Sequence, residues 1–278
     1  MNMAETGGTI RSSGTLDEKC RKLRRMILLM IHEARSGHPG GSLSCVEILV
    51  LLYHGLMRHD PQNPGWADRD RFVLSKGHAA PALYAVLADC GYFPVEELST
   101  LRQFGSRLQG HPHMQSLPGL DCSTGSLGHG LSIASGMALG LKLRGSSSRV
   151  YCLLGDGELQ EGSVWEAIMS GPALALSNLT AVVDNNGVQL DGRTCDIIPV
   201  EPLVEKWKAF GWNVRRCPGH DVDAMGEALS GIKAGPSVLI ADTVKGRGVS
   251  FMEGDCSWHG RAPDDGELAD ALAELGSW

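Results

Sequence analysis

The strongest constraint on the fold lies in residues 155–186. They read Gly155-Asp156-Gly157, a stretch of helical pattern, and then the apolar run Leu179-Thr180-Ala181-Val182-Val183-Asp184, closed by Asn185-Asn186. The interval 158–184 has room for one helix and one returning strand, the content of a βαβ crossover. An acid and an amide thereby fall at the carboxyl ends of two neighbouring parallel strands. Hard oxygen ligands of this kind suit an octahedral Mg²⁺ that keeps waters and takes the rest of its shell from phosphate oxygens. The glycines flanking Asp156 let backbone amides approach a phosphate closely. Two unit charges about 4 Å apart repel by about 4 kcal/mol at an effective dielectric near 20, so a diphosphate beside Asp156 calls for a metal between them.

The rest of the chain has the same alternating character. Thr15-Leu16-Asp17-Glu18 is a capping box, and it opens an amphipathic helix to about Arg35 with Leu23, Ile27, Met30 and Ile31 on one face. A second capping box, Ser44-Cys45-Val46-Glu47, predicts a helix that starts there and ends near Met57. Two prolines within 60–66 predict a loop leading into a strand at 71–74. Further strands are expected at 150–154, 179–184, 213–216 and 237–244. Helices are expected near 80–90, 127–143, 160–175, 200–210 and 221–233, and again at 267–275. The pattern predicts an α/β fold, a mainly parallel sheet with helices on both faces. It forms a single domain over 15–278 behind a mobile leader at 1–14. The helix after Ser126 carries Gly128, Gly130, Ser132, Ala134, Ser135, Gly136, Ala138 and Gly140. Such small residues predict close approach of another helix or of a ligand.

Composition removes several classes of function. With 278 residues, 42% hydrophobic and 21% charged, the chain can bury a large core. A net charge of −7 argues against nucleic acid, which draws affinity from clustered Lys and Arg. No apolar run approaches the roughly 20 residues of a membrane span, so runs 26–31 and 48–53 read as core faces of helices and no membrane association is expected. The first 14 residues lack the apolar segment of a signal peptide, which makes a cytoplasmic location the expectation. The eight cysteines include no C-x-x-C pair and read as free thiols. His111-Pro112-His113 reads as a loop and not as a metal site.

Four loops each set a histidine beside Gly or Pro: Ser36-Gly37-His38-Pro39-Gly40, Ser75-Lys76-Gly77-His78, Gly110-His111-Pro112-His113 and Trp258-His259-Gly260. Together with the diphosphate signature they suggest a polar pocket that handles hydroxyls and protons near neutral pH. The motifs SGHPG, LSKGH, GHP, TGSLGHG, GDGELQEGSVWEA, VVDNN and WHG follow one another in the order found in transketolases. From about residue 15 to 275 the chain resembles the N-terminal, diphosphate-binding half of that family. The resemblance implies the thiamine diphosphate-binding fold. It also implies a divalent metal, Mg²⁺ or else Ca²⁺ or Mn²⁺, on Asp156, Asn186 and the main-chain carbonyl of Val188. Gly157 and the Gly125, Ser126 and Leu127 loop would contact the cofactor, with Asn186 shared between cofactor and metal. His78 and His259 would lie near the diphosphate and the reacting centre, and Lys245 would touch the diphosphate. His38 and His111 would hydrogen-bond the sugar, completing the set of catalytic histidines. Glu161 would sit at the subunit interface and support cofactor activation there. His113 and His129 depart from the family pattern and receive no role.

In this family a glutamate on a following pyrimidine-binding domain triggers the cofactor, and this chain ends before such a domain. The resemblance therefore implies a split transketolase, in which a C-terminal subunit supplies the glutamate, the pyrimidine pocket and the phosphate clamp. The expected assembly is a heterotetramer with two copies of each chain, moving a two-carbon ketol unit from a ketose phosphate to an aldose. Alone, the chain would have little activity. Alternatives left open are a specialised transketolase for branched or sulfonated sugars, the α subunit of a 2-oxo acid dehydrogenase, and a non-catalytic binding subunit.

Overall fold

A computed structural model describes residues 15–231 and 234–276. The expected leader at 1–14, and positions 232–233 of the helix expected at 221–233, lie outside the described residues. Helix α1 (Leu16–Glu33) begins as its capping box dictates. The Thr15 hydroxyl accepts from the Glu18 amide at 3.3 Å, and the Glu18 carboxylate accepts from the Thr15 amide at 2.7 Å. Leu23, Ile27, Met30 and Ile31 are buried.

The second capping box does not form. Pro39, suited to the first turn of a helix, opens a short α2 (Pro39–Leu43), followed by α3 (Val46–Leu51), which runs into one π-helical turn at Leu52–Leu56. Burial redirects both box residues to tertiary partners. The Ser44 hydroxyl donates to Asp184 at 2.6 Å, and Glu47 pairs with Arg24 at 2.7 Å.

The remaining elements follow in order: β1 (Arg71–Leu74), α4 (Ala80–Asp89), α5 (Gly130–Leu143), β2 (Val150–Gly155), α6 (Gly162–Ala173), β3 (Leu179–Asn185), β4 (Val188–Gln189), β5 (Gly192–Arg193), α7 (Thr194–Ile197), α8 (Leu203–Ala209), β6 (Asn213–Pro218), α9 (Val222–Leu229), β7 (Ser237–Asp242) and α10 (Asp265–Glu274). The main sheet is parallel throughout in the order β1-β2-β3-β7-β6, and β4 and β5 form a small antiparallel hairpin. Helix α5 starts later than its pattern predicts because Gly128, at φ +87, takes a left-handed conformation outside the helix. Strand β7 stops at Asp242, and residues 243–245 leave the sheet toward the site.

Period-2 alternation along the strands divides the interior in two. Phe72, Leu74, Tyr151, Leu153, Val182 and Leu239 point into one core, shared with α1, α3 and α4. Val73, Val150, Cys152, Leu154, Val183 and Ile240 point into the other, under α5, α6 and α8. Both faces of the sheet are thus covered. Within α5 the small residues divide likewise. Gly130 sits directly against Ser75, whereas Gly136 and Gly140 have open space where a side chain would be. All eight cysteines are free. No helix among the described residues is long and apolar enough to cross a membrane.

Candidate active site

Several of the chemically pointed residues hang just beyond a carboxyl end of the sheet: Lys76 and His78 after β1, Asp156 after β2, Asn186 after β3, and Lys245 after β7. The register sets Gly155 beside Asp184, so Asp156 and Asn186 emerge from adjacent strands as the motif spacing requires. Asp156 is 1% exposed. One of its oxygens accepts from the Gly157 amide at 2.9 Å. The other accepts from the Gly187 amide at 2.7 Å and from the Thr194 hydroxyl at 3.3 Å. Burial, reinforced by the charge of Asp184, pushes its carboxyl up to about 6. The hydrogen-bond partners of Asp156 are thus all neutral donors; the Lys76 ammonium nearby lowers its carboxyl, but burial and Asp184 prevail.

The side-chain oxygen of Asn186 accepts from the Val188 amide at 3.1 Å, while its amide nitrogen donates to Asp184 at 3.0 Å. The Val188 carbonyl accepts from the Lys245 ammonium at 3.0 Å, and that ammonium also donates to Nδ1 of His259 at 2.9 Å. Burial, with Lys76 adding to it, lowers Lys245 to about 8. Asp156, Asn186 and Val188 line one cleft of about 250 Å³ with His78, Leu127, Gly157, Glu161, Lys245 and His259. Among the described residues no group of three or more His, Cys, Asp or Glu could hold a metal. A cation here would have one carboxylate and the amide and carbonyl oxygens of Asn186 and Val188, and would draw its remaining ligands from water or phosphate. That donor set fits Mg²⁺ on a diphosphate. The cradle is also closed to larger residues: a Cβ at Gly157 would stand 2.9 Å from the Cβ of Gln189.

The four histidines converge. The ring of His38 lies 5.4 Å from that of His78, 5.5 Å from His259 and 6.3 Å from His111, and His78 lies 5.1 Å from His259. Burial first, then neighbouring cations and rings, lowers His38 to about 4 and His259 to about 3. Burial also leads in lowering His78 and His111, and His78 falls well below its ordinary value. The expected polar pocket is thus lined by rings whose basicity is lowered. Desolvation makes these rings neutral hydrogen-bonding groups at pH 7.

The remaining expected residues divide between the cleft and its surroundings. Leu127 lines the cleft, but Gly125 packs against the His111 ring and Ser126 is exposed. Glu161, the N-cap of α6, is exposed at the cleft edge, and His113 and His129 are exposed.

Sequence reading gave no role to three buried residues that hold the loops together. Lys76 forms an ion pair with Asp184, which also accepts from Ser44, Thr243 and Asn186. Burial pushes the Asp184 carboxyl up, but the Lys76 ammonium and these hydroxyls hold it below the usual range. Glu158 accepts from the Ser75 hydroxyl, from the Gly128 amide at 2.9 Å and from the Gly155 amide at 3.1 Å. The available signals were the positions of Lys76 in LSKGH, of Asp184 in VVDNN and of Glu158 in GDGEL.

The family model for the transketolase thiamine diphosphate binding domain matches residues 17–278. The chain is 44% identical over 263 residues to a 6-deoxy-6-sulfo-D-fructose transketolase subunit of Clostridium sp., with 94% of this chain and 96% of that protein covered. It is 42% identical over 263 residues to an apulose-4-phosphate transketolase subunit of Actinobacillus succinogenes, covering 94% of this chain and 95% of that one. Among solved structures, the transketolase of Campylobacter jejuni superposes with a TM-score of 0.87 at 32% identity. That match covers 94% of this chain but 42% of the other, so this chain spans less than half of that protein.

Proposed function

Because the chain belongs to the transketolase family, as its thiamine diphosphate binding domain, we propose that it is the diphosphate-binding subunit of a two-chain transketolase. It works in the cytoplasm with a C-terminal subunit in a heterotetramer, and transfers a two-carbon ketol unit from a ketose phosphate to an aldose. The observation that carries this reading is the convergence, in one cleft, of the buried Asp156 carboxylate, the Asn186 side chain and Lys245 with the imidazoles of His78 and His259. The family assignment sets aside the 2-oxo acid dehydrogenase alternative.

Thiamine diphosphate, when bound, supplies the electron sink that allows a carbon–carbon bond next to a carbonyl to break and re-form. Asp156, Asn186 and the Val188 carbonyl hold the divalent metal, taken to be Mg²⁺. The Gly157 amide and Lys245 bind the diphosphate. His78 and His259, neutral and close together, hold or pass a proton beside the reacting carbon. His38 and His111 hydrogen-bond the hydroxyls of the sugar and orient it. Glu161, exposed at the cleft edge, faces the partner copy and supports cofactor activation.

The sugar is the open part of this reading. Two relatives bear the names of a sulfonated ketose and of apulose 4-phosphate, which favours a specialised substrate as the second possibility. The test is ketol transfer from xylulose 5-phosphate to ribose 5-phosphate with thiamine diphosphate and Mg²⁺, for the chain alone and coexpressed with a C-terminal subunit. Turnover in the pair alone supports the reading. Turnover in the pair restricted to branched or sulfonated ketoses selects the specialised form, and full activity of the chain alone overturns the split site. In the pair, Asp156→Ala is expected to abolish metal-dependent binding of thiamine diphosphate, read by titration calorimetry. Unchanged affinity would move the metal elsewhere.

A further inference from the structure

Two unfavourable features meet at Arg102. Its backbone takes φ +57, a left-handed conformation that long side chains seldom adopt. Its Nε–H is buried without a partner. The surrounding loop holds it there. The Arg102 amide donates to the Leu108 carbonyl at 2.8 Å, the Thr100 and Ser106 hydroxyls pair at 2.7 Å, and Ser106 accepts from the Leu108 amide at 3.0 Å. Gly110 leaves room for the guanidinium, since a Cβ at that position would stand 2.9 Å from Arg102 Nε.

The result is a fixed cation at the edge of the histidine cluster. One Nη donates to the Ser36 hydroxyl at 2.7 Å, and the other lies 3.3 Å from Nδ1 of His38. A guanidinium has donors and no acceptor, so Nδ1 of His38 must accept. The proton of the neutral ring then sits on Nε2, which has no partner among the described residues and lies at the Gly260 side of the cluster. The other groups facing the ring are His78, His111, His259 and Lys245. Burial first, then Arg102, His111 and Lys245, opposes a second proton on it.

We propose that Arg102 is a positioning residue that locks His38 in the Nε2–H tautomer, so that the ring offers the channel a donor and not an acceptor. His38 then recognises a substrate oxygen by giving it a hydrogen bond, and Arg102 acts on the substrate through that ring. The identity of this oxygen as a sugar hydroxyl or carbonyl rests on the ketol-transfer reading; the tautomer does not.

The test reads the ring nitrogens directly. In the full chain with ¹⁵N-labelled histidine, long-range proton–nitrogen correlation at neutral pH is expected to give a single Nε2–H pattern for His38. Arg102→Met, which removes the donor, is expected to turn that pattern into a mixture of tautomers. Arg102→Lys restores the single pattern, because an ammonium also only donates, and Ser36→Ala leaves it unchanged. In the enzyme assembled with its partner, Arg102→Met is expected to lower kcat/KM for the sugar about 3- to 10-fold, with recovery in Arg102→Lys. An Nδ1–H signal in the natural chain, or an unaltered His38 pattern in Arg102→Met, overturns the proposal. If Arg102→Met does not fold, the proposal falls unless the natural chain and Arg102→Lys share the Nε2–H pattern. The spectrum is read without substrate, so its outcome is distinct from that of the transfer assay.

Discussion

Asp184 and Lys76 are 0% and 1% exposed, and each is the main charge partner of the other. Removing one member of such a pair leaves a bare charge in a medium that cannot solvate it, at a cost of about 3–5 kcal/mol, while replacing both with apolar groups is far milder. Asp184→Ala is therefore expected to lower the urea midpoint sharply. The double variant Lys76→Met with Asp184→Leu should keep more stability than either single change, and equal losses would remove the pair from its structural role. The same pair marks the limit of what could be read along the chain. The placement of Asp156 and Asn186 after adjacent strands was legible because it is local to a motif whose spacing leaves room for one crossover. Lys76 and Asp184 meet across 108 positions, and nothing near either of them announces the other. The depressed basicity of the histidines was hidden for a related reason: desolvation depends on everything folded around a ring.

At the scale of elements, Asp89 at the end of α4 gathers Lys19 and Lys22 of α1, at 3.1 and 2.8 Å, and His54 of the π turn at 3.1 Å. Burial raises its carboxyl, but the hydrogen bonds from His54, Lys22 and Lys19 prevail and hold it well below the usual range. A folded-state value below the unfolded one means that the contribution is whole above about pH 4 and is lost as pH falls further, when the folded carboxylate at last takes a proton. The stability gap between the natural chain and Asp89→Asn should therefore be widest at pH 6 and narrow below pH 3 in urea titrations. A gap that stays constant with pH would contradict this. The main strands of the sheet were legible from apolar runs, and β1 matches the expected bounds. The short pieces were not, since the hairpin of β4 and β5 has two residues on each side and no periodicity to detect. The failed box at Ser44 shows a local rule yielding to burial: the hydroxyl fitted to cap a helix serves a carboxylate 140 positions away.

At the scale of the molecule, the sheet with helices on both faces could be expected from the alternation of patterns. How the chain would arrange its strands, with β6 outermost beside β7, could not, because the order depends on which faces fit when packed. The division of the interior by alternate strand residues has a consequence for how such a chain can change over time. A single insertion or deletion inside β2 would exchange Leu153 and Leu154 between two differently shaped cores, and would spoil both at once. The same edit after Gly155, Asn185 or Asp242 leaves both cores in register and alters only what the loops carry. Changes in length can thus accumulate in the loops without disturbing either core, while the strands beneath admit substitutions but tolerate no change in length.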